Sequence, residues 1–134
     1  MWDWLANPAD ISIAGDFGFN AGVIFQIMAK NKNFDLLIAI IPDPWDDNQK
    51  GMPVEKFLNV YKIELAKQKP YLAVASDRSL GIENWDNWSW KLVCEARTKL
   101  IEVKIPFYPN VGRAARAASK MIGYYEKRSS VTSV

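Results

Sequence analysis

Six consecutive apolar residues, Leu36 to Ile41, stand between Asp35 and Pro42, and this run does most to limit what the chain can become. It is far shorter than the roughly 20 residues that a membrane-spanning helix needs. At strand length it matches a segment buried on both faces of a parallel sheet. Parallel neighbours need long crossover connections, so helices are expected before and after the run. Leu36 to Ile41 is accordingly expected at the sheet centre.

The flanking sequence supplies such elements. Ile11 and Ile13 alternate after Asp10 as a short or edge strand, and Gly15-Asp16 reads as a turn. From Phe17, Val23, Ile24, Ile27 and Met28 recur at helical spacing, with Asp16 as N-cap and Asn31 or Asn33 as exit. Val54, Phe57, Leu58, Tyr61 and Leu65 predict a second helix, ending before Pro70, and Tyr71 to Ala75 a second apolar strand. After a polar loop, Ser76 to Asn84, a third helix carries Trp85, Trp88, Leu92, Val93, Ala96, Leu100 and Ile101 on its apolar face. Lys91, Glu95 and Lys99 stand at i,i+4 on another face. Ile105 to Tyr108 is the last strand, and Asn110 caps a closing helix whose face is Val111, Ala114, Ala115, Ala118 and Ile122. Ser129 to Val134 should fray. The alternation predicts an α/β fold: a flavodoxin-like three-layer sandwich, with a mostly parallel sheet of about four strands and helices on both faces.

At 134 residues, 49% of them apolar, the chain suits one domain, residues 1–134. No segment reads as a signal peptide or membrane span, which points to the cytoplasm and away from a membrane partner. The net charge of +2, with Lys and Arg dispersed, gives no footprint for nucleic acid. The single cysteine, Cys94, is placed on the apolar face of the third helix. There is no histidine. The commonest general base near neutral pH and the commonest metal ligand are therefore missing, and Cys94 has no imidazole to make it a thiolate.

In an open α/β sheet, ligands bind beyond the carboxyl ends of the strands. The loop after Ile41 is Pro42-Asp43-Pro44-Trp45-Asp46-Asp47-Asn48. Two prolines remove donors and three carboxylates repel anions there, so the aspartates are expected to cap the following helix rather than cradle a phosphate. A Mg²⁺ or Ca²⁺ site among them is a weaker alternative without EF-hand spacing. Aspartyl phosphorelay does not fit: aligned at Asp35, the acceptor position of a response-regulator receiver falls on Ile40. No Walker or dinucleotide-binding glycine motif is present. Among six tryptophans, three lie in Trp85-Asp-Asn-Trp-Ser-Trp90, where packing in the core or against another domain is favoured over base stacking. Arg113, Arg116, Lys120 and Lys127 form a basic strip opposite the alanine face of the last helix.

The tail from Ile105 through Pro106, Tyr108, Arg113-Ala114-Ala115-Arg116-Ala117 to Tyr124 resembles the segment G-I-P-V-Y-x-x-P-E-R-A-A-R-A-L-A-x-L-x-x-Y of NDP-forming (ADP-forming) acyl-CoA synthetases, relatives of succinyl-CoA synthetase. Gly112 stands where that pattern has an acidic residue. Asn7-Pro8-Ala9-Asp10-Ile11 is similar to the N-P-x-D-L that opens the third domain of those enzymes, and the Asp35 to Ile41 strand follows in the same order. The resemblance spans about residues 7 to 126. It implies a C-terminal ligase-CoA type domain, part of a larger acid-thiol ligase working through acyl-phosphate and phosphohistidine. CoA, ATP or ADP, and Mg belong to the full enzyme and none to this domain; the partners are its other domains or subunit. The histidine step would lie elsewhere, leaving this piece inactive alone. The family's glycine-rich turn after the strand is here the aspartate loop. Candidate crevice or inter-domain residues are Asn7, Asp10, Pro42, Asp43, Pro44 and Trp45, and candidate interface residues are Trp85, Trp88, Arg113 and Arg116. No catalytic or metal residue is assigned. The alternative is a non-catalytic interaction or regulatory domain of the same fold.

Overall fold

The computed structural model describes residues 21–42, 44, 47–75 and 86–131. Three short parallel strands, β1 (Leu37–Ile41), β2 (Tyr71–Ala75) and β3 (Phe107–Tyr108), form a sheet in the order β1-β2-β3. Leu37 pairs with Tyr71, Ala39 with Ala73, and Ala73 with Phe107. Prolines open two of the strands: Leu37 donates to the Pro70 carbonyl at 2.9 Å, and Ala73 to that of Pro106 at 3.0 Å. The helices are α1 (Ala21–Lys30), α2 (Val54–Asn59), α3 (Trp88–Glu102) and α4 (Val111–Val131). The fold is thus α/β with an open parallel sheet. The strand expected at Ile11 and Ile13, and the cap Asp16, lie outside the described residues.

Side chains alternate across the sheet. Leu37, Ala39, Ile41, Tyr71 and Ala73 point into the larger core with α1, α2 and α3; Leu72 and Val74 point the other way, onto Ala114 and Ala118 of α4. The central strand is β2, whose five residues are all buried. Among the described strands β1 lies at the edge rather than the centre: its burial alternates and Ile40 is 58% exposed, its α2–α3 face being the fully covered one. An unbroken apolar run signals that both faces tolerate burial, and β1 uses one.

The second helical segment has the predicted inward residues, with Val54, Phe57, Leu58, Tyr61 and Leu65 all buried. It is broken, however. α2 stops at Asn59, Lys62 turns left-handed at φ 49°, and a 3-10 turn covers Ile63–Lys67. In α1 the inward side is Gly22, Phe25, Met28 and Ala29, while Val23 and Ile27 are exposed. Apolar residues surround this helix, so spacing alone does not select its buried side.

α3 starts at Trp88 with Asn87 as N-cap, its side-chain oxygen accepting from Ser89 N at 2.9 Å. Leu92, Val93, Ala96 and Leu100 are buried as expected, but Ile101 is exposed. Cys94 is exposed too, one step round from the buried stripe. The recorded ion pairs of the helix's lysines run from Lys91 to Asp86 and from Lys99 to Glu102 and Glu55, rather than to Glu95. The helix closes in a Schellman motif: Ile105 N donates to Leu100 O at 2.8 Å and Lys104 N to Ile101 O at 2.9 Å, with Lys104 left-handed at φ 60°. Ile105 and Leu100 then meet in the core.

α4 begins as predicted, Asn110 Oδ1 accepting from Arg113 N at 2.9 Å. Only Ala114 and Ala118 of its predicted face are buried; Val111, Ala115 and Ile122 are exposed. Its 21 residues span about 31 Å, whereas a five-residue strand covers about 17 Å. The helix therefore outruns the sheet. No helix among the described residues is long and apolar enough to cross a membrane.

Candidate functional site

The carboxyl edge of the sheet is built from three pieces: the start of the loop after β1, the first turn of α3, and the β3–α4 junction. Pro42 is exposed and Pro44 buried. Ser89 Oγ donates to the Pro44 carbonyl at 2.7 Å, tying the loop after β1 to the N-terminus of α3. Asp47–Gln49 form a 3-10 turn, and Gly51, at φ +76°, redirects the chain into Pro53. Pro53 is the N-cap of α2, with no side-chain cap bond. Asp47 therefore caps nothing on α2: six residues and a reversal separate it from the first helical turn. Asp43 and Asp46 lie outside the described residues, as do Asn7, Asp10, Trp45 and Trp85.

Two helix N-termini, those of α3 and α4, do stand at this edge, and such termini attract anions. Here each is already served by a side chain of the protein, Asn87 on α3 and Asn110 on α4. Asp86, just before α3, has its carboxyl held below the usual range by the hydrogen bond and charge of Lys91. That places a carboxylate where a phosphate would approach.

Trp88 is half-buried and packs against the main core. Trp90 belongs to a different contact, with the Arg97 guanidinium 5.4 Å from its ring centre and 5.5 Å from that of Phe107. An arginine between two rings is a cation–π arrangement that joins α3 to the outer strand β3. Sequence reasoning missed Asn87, Ser89 and Arg97. Asn87 could have been found as a capping residue one step before an aromatic-rich helix, and Trp90 with Arg97 from their i,i+7 spacing.

Arg113 and Arg116 both point into solvent, with no ion-pair partner among the described residues. Among the described residues no group of three or more His, Cys, Asp or Glu side chains stands together to hold a metal ion.

The other perturbed groups are structural. Tyr61 and Tyr71 lie in the core at the amino end of β2, where burial pushes Tyr61 up to about 12 and raises Tyr71 further, helped by the charges of Tyr61 and Glu64. Tyr71 Oη donates to the Tyr61 carbonyl at 2.6 Å. This bond serves the point where the second helical segment breaks. Lys99 is raised by its bond to Glu102, with a smaller contribution from Glu55, and is half-buried on the surface of α3. None of these groups is placed to act on a substrate. No protein-family model, curated protein or solved structure matches this chain.

Proposed function

We propose that this chain is a ligase-CoA type domain of an NDP-forming acyl-CoA synthetase, flavodoxin-like in architecture, which supports a reaction carried out with groups from other domains. The observation that carries the reading is how the tail motif divides between inside and outside. Pro106 offers its carbonyl to β2, and Ala114 is fully buried against the sheet. Arg113 and Arg116 point outward and serve no packing within the described residues. A motif of small inward residues and regularly placed outward arginines suits a helix that must lie on its own sheet and meet a second body. The absence of histidine agrees, since the phosphorylated residue of such an enzyme would come from elsewhere.

Gly112, which departs from the pattern, is not required by packing: a Cβ there would meet only Asn110 Oδ1, at 3.5 Å. The carboxyl edge fits phosphate poorly, its helix ends being capped by asparagines and flanked by Asp86 and Asp47. CoA, nucleotide and Mg²⁺ are therefore assigned to the remainder of the enzyme.

The test is CoA-thioester formation from an acyl acid, ATP, Mg²⁺ and CoA. The isolated chain is expected to give no turnover, and to restore turnover when added to an enzyme of this family lacking the corresponding domain. Turnover by the isolated chain, or failure to restore it, refutes the proposal. A second reading, a non-catalytic docking domain of the same fold, is favoured by the aspartates replacing the glycine-rich turn. Restored turnover would exclude it.

A further inference from the structure

α4 packs on the sheet as far as Ala118, and from Ser119 to Arg128 none of its residues is buried. This free length is not polar on every side. Met121, Ile122 and Tyr125 continue the stripe of Ala114 and Ala118 at helical spacing, and they are 42%, 48% and 57% exposed. With Leu36, at the amino end of β1, they wall a groove of about 580 Å³. Apolar residues scattered singly on a surface need no explanation, but a contiguous patch of them marks a place where another molecule binds.

The rim of the groove limits what that molecule is. Asp35 stands just before β1 and Glu126 on α4, and no Lys or Arg is among the lining residues. Neither carboxylate has an ion-pair partner among the described residues. The complementary occupant is therefore apolar where it meets Met121, Ile122 and Tyr125 and cationic at its margins, whereas an acidic margin is repelled. A second copy offering the same face does not fit. A two-fold contact is isologous, so it would bring Asp35 and Glu126 again, while Arg113, Arg116 and Lys120 turn to the opposite side of α4. A wall made by a helix suits another helix, since ridges of one fit grooves of the other. The volume, about 580 Å³, lies in the range that encloses whole ligands rather than one side chain.

We infer that this groove receives an amphipathic helix of another polypeptide, with an apolar face and Lys or Arg on its flanks, in the helix-in-groove mode of recognition. Its apolar face packs on Leu36, Met121, Ile122 and Tyr125, and its cations meet Asp35 and Glu126. The inference does not rest on the ligase reading. The probe is a fluorescein-labelled amphipathic peptide of Leu and Lys, about 18 residues long so that it forms a helix, compared with the same peptide carrying Glu for Lys. Fluorescence anisotropy with the intact chain is expected to show saturable binding of the Lys peptide and binding of the Glu peptide weaker by on the order of 10-fold. Asp35→Asn combined with Glu126→Gln should remove most of that difference. Ile122→Gln, which leaves both carboxylates, should weaken the Lys peptide by at least ~10-fold. Ile122 is 48% exposed, so its circular dichroism should be unaltered. Ile27→Gln, at a position 58% exposed on α1 across the sheet, should leave binding unchanged. No saturable binding, equal affinity for the two peptides, or equal losses at Ile122 and Ile27 overturns the inference. Concentration-dependent dimers of the chain alone in sedimentation, lost in Ile122→Gln, also overturn it, in favour of a second copy as occupant.

Discussion

Replacing Tyr71 with Phe isolates one hydrogen bond on which the local chain path depends. The second helical segment breaks at Lys62, and the bond that resumes it runs from Leu65 N to Lys62 O at 2.9 Å. The Tyr61 carbonyl, just before the break, is held by Tyr71 Oη at 2.6 Å in the buried core. Tyr71→Phe keeps the ring, its packing and its contact with Phe25, and removes only that donor. Leaving a buried acceptor unsatisfied costs about 1–3 kcal/mol. For a domain of this size that corresponds to a fall in melting temperature on the order of 3–12 °C. Urea unfolding with an unchanged slope measures it. The same variant has a signature in pH. Both tyrosines ionise less readily folded than unfolded, so their stabilisation is complete below the unfolded value near 10 and is lost as pH rises. For Tyr61, with a shift from 10.0 to about 12, the loss amounts to about 2 kcal/mol by pH 12. Tyr71→Phe should therefore flatten, but not abolish, the decline above pH 10, Tyr61 remaining. A loss below about 0.5 kcal/mol at pH 7, with an unaltered alkaline limb, would refute the reasoning.

Leu100 is fully buried where α3 meets the core, and Leu100→Ala should cost about 2–5 kcal/mol in denaturant unfolding; under 1 kcal/mol would mean that the cavity collapses. Lys104 occupies the left-handed position of the Schellman motif, so Lys104→Gly should raise stability by about 0.5–1 kcal/mol, a gain that the same titration would detect. Asn110→Ala should lose about 1 kcal/mol with the cap of α4, whereas Asp47→Ala, which caps no helix here, should stay within about 0.5 kcal/mol. Equal losses for the two would contradict the assignment of caps.

Much of this fold is legible in local chemistry. Pro70 and Pro106 mark strand entries, Asn110 announces α4, and the spacing of Val54, Phe57, Leu58, Tyr61 and Leu65 selects the residues that become buried. These signals are short-range: a missing donor, a side-chain acceptor near free N–H groups, a repeat close to the helical turn. The candidate site is less legible. Pro44 is drawn to the start of α3 by a hydrogen bond across 45 positions, and Arg97 reaches Trp90 and Phe107 only once α3 lies on β3.

What the sequence alone determined was the order of the described strands and helices and, from Val54 to Leu65, which side chains turn inward. Tertiary structure decided the rest. Leu36 to Ile41 and Tyr71 to Ala75 are equally apolar, yet among the described strands β2 is central and β1 is at the edge with Ile40 exposed, because strand order is set by the direction of the crossovers. α1 is apolar around its circumference, so the sheet and Tyr61 select Phe25 and Ala29 over Val23 and Ile27. The left-handed turns at Lys62 and Lys104 carry no glycine to announce them. Each is held by buried neighbours, Tyr71 in one case and the Leu100–Ile105 contact in the other, whose combined hold outweighs the local cost of about 1–2 kcal/mol that a lysine incurs in that conformation.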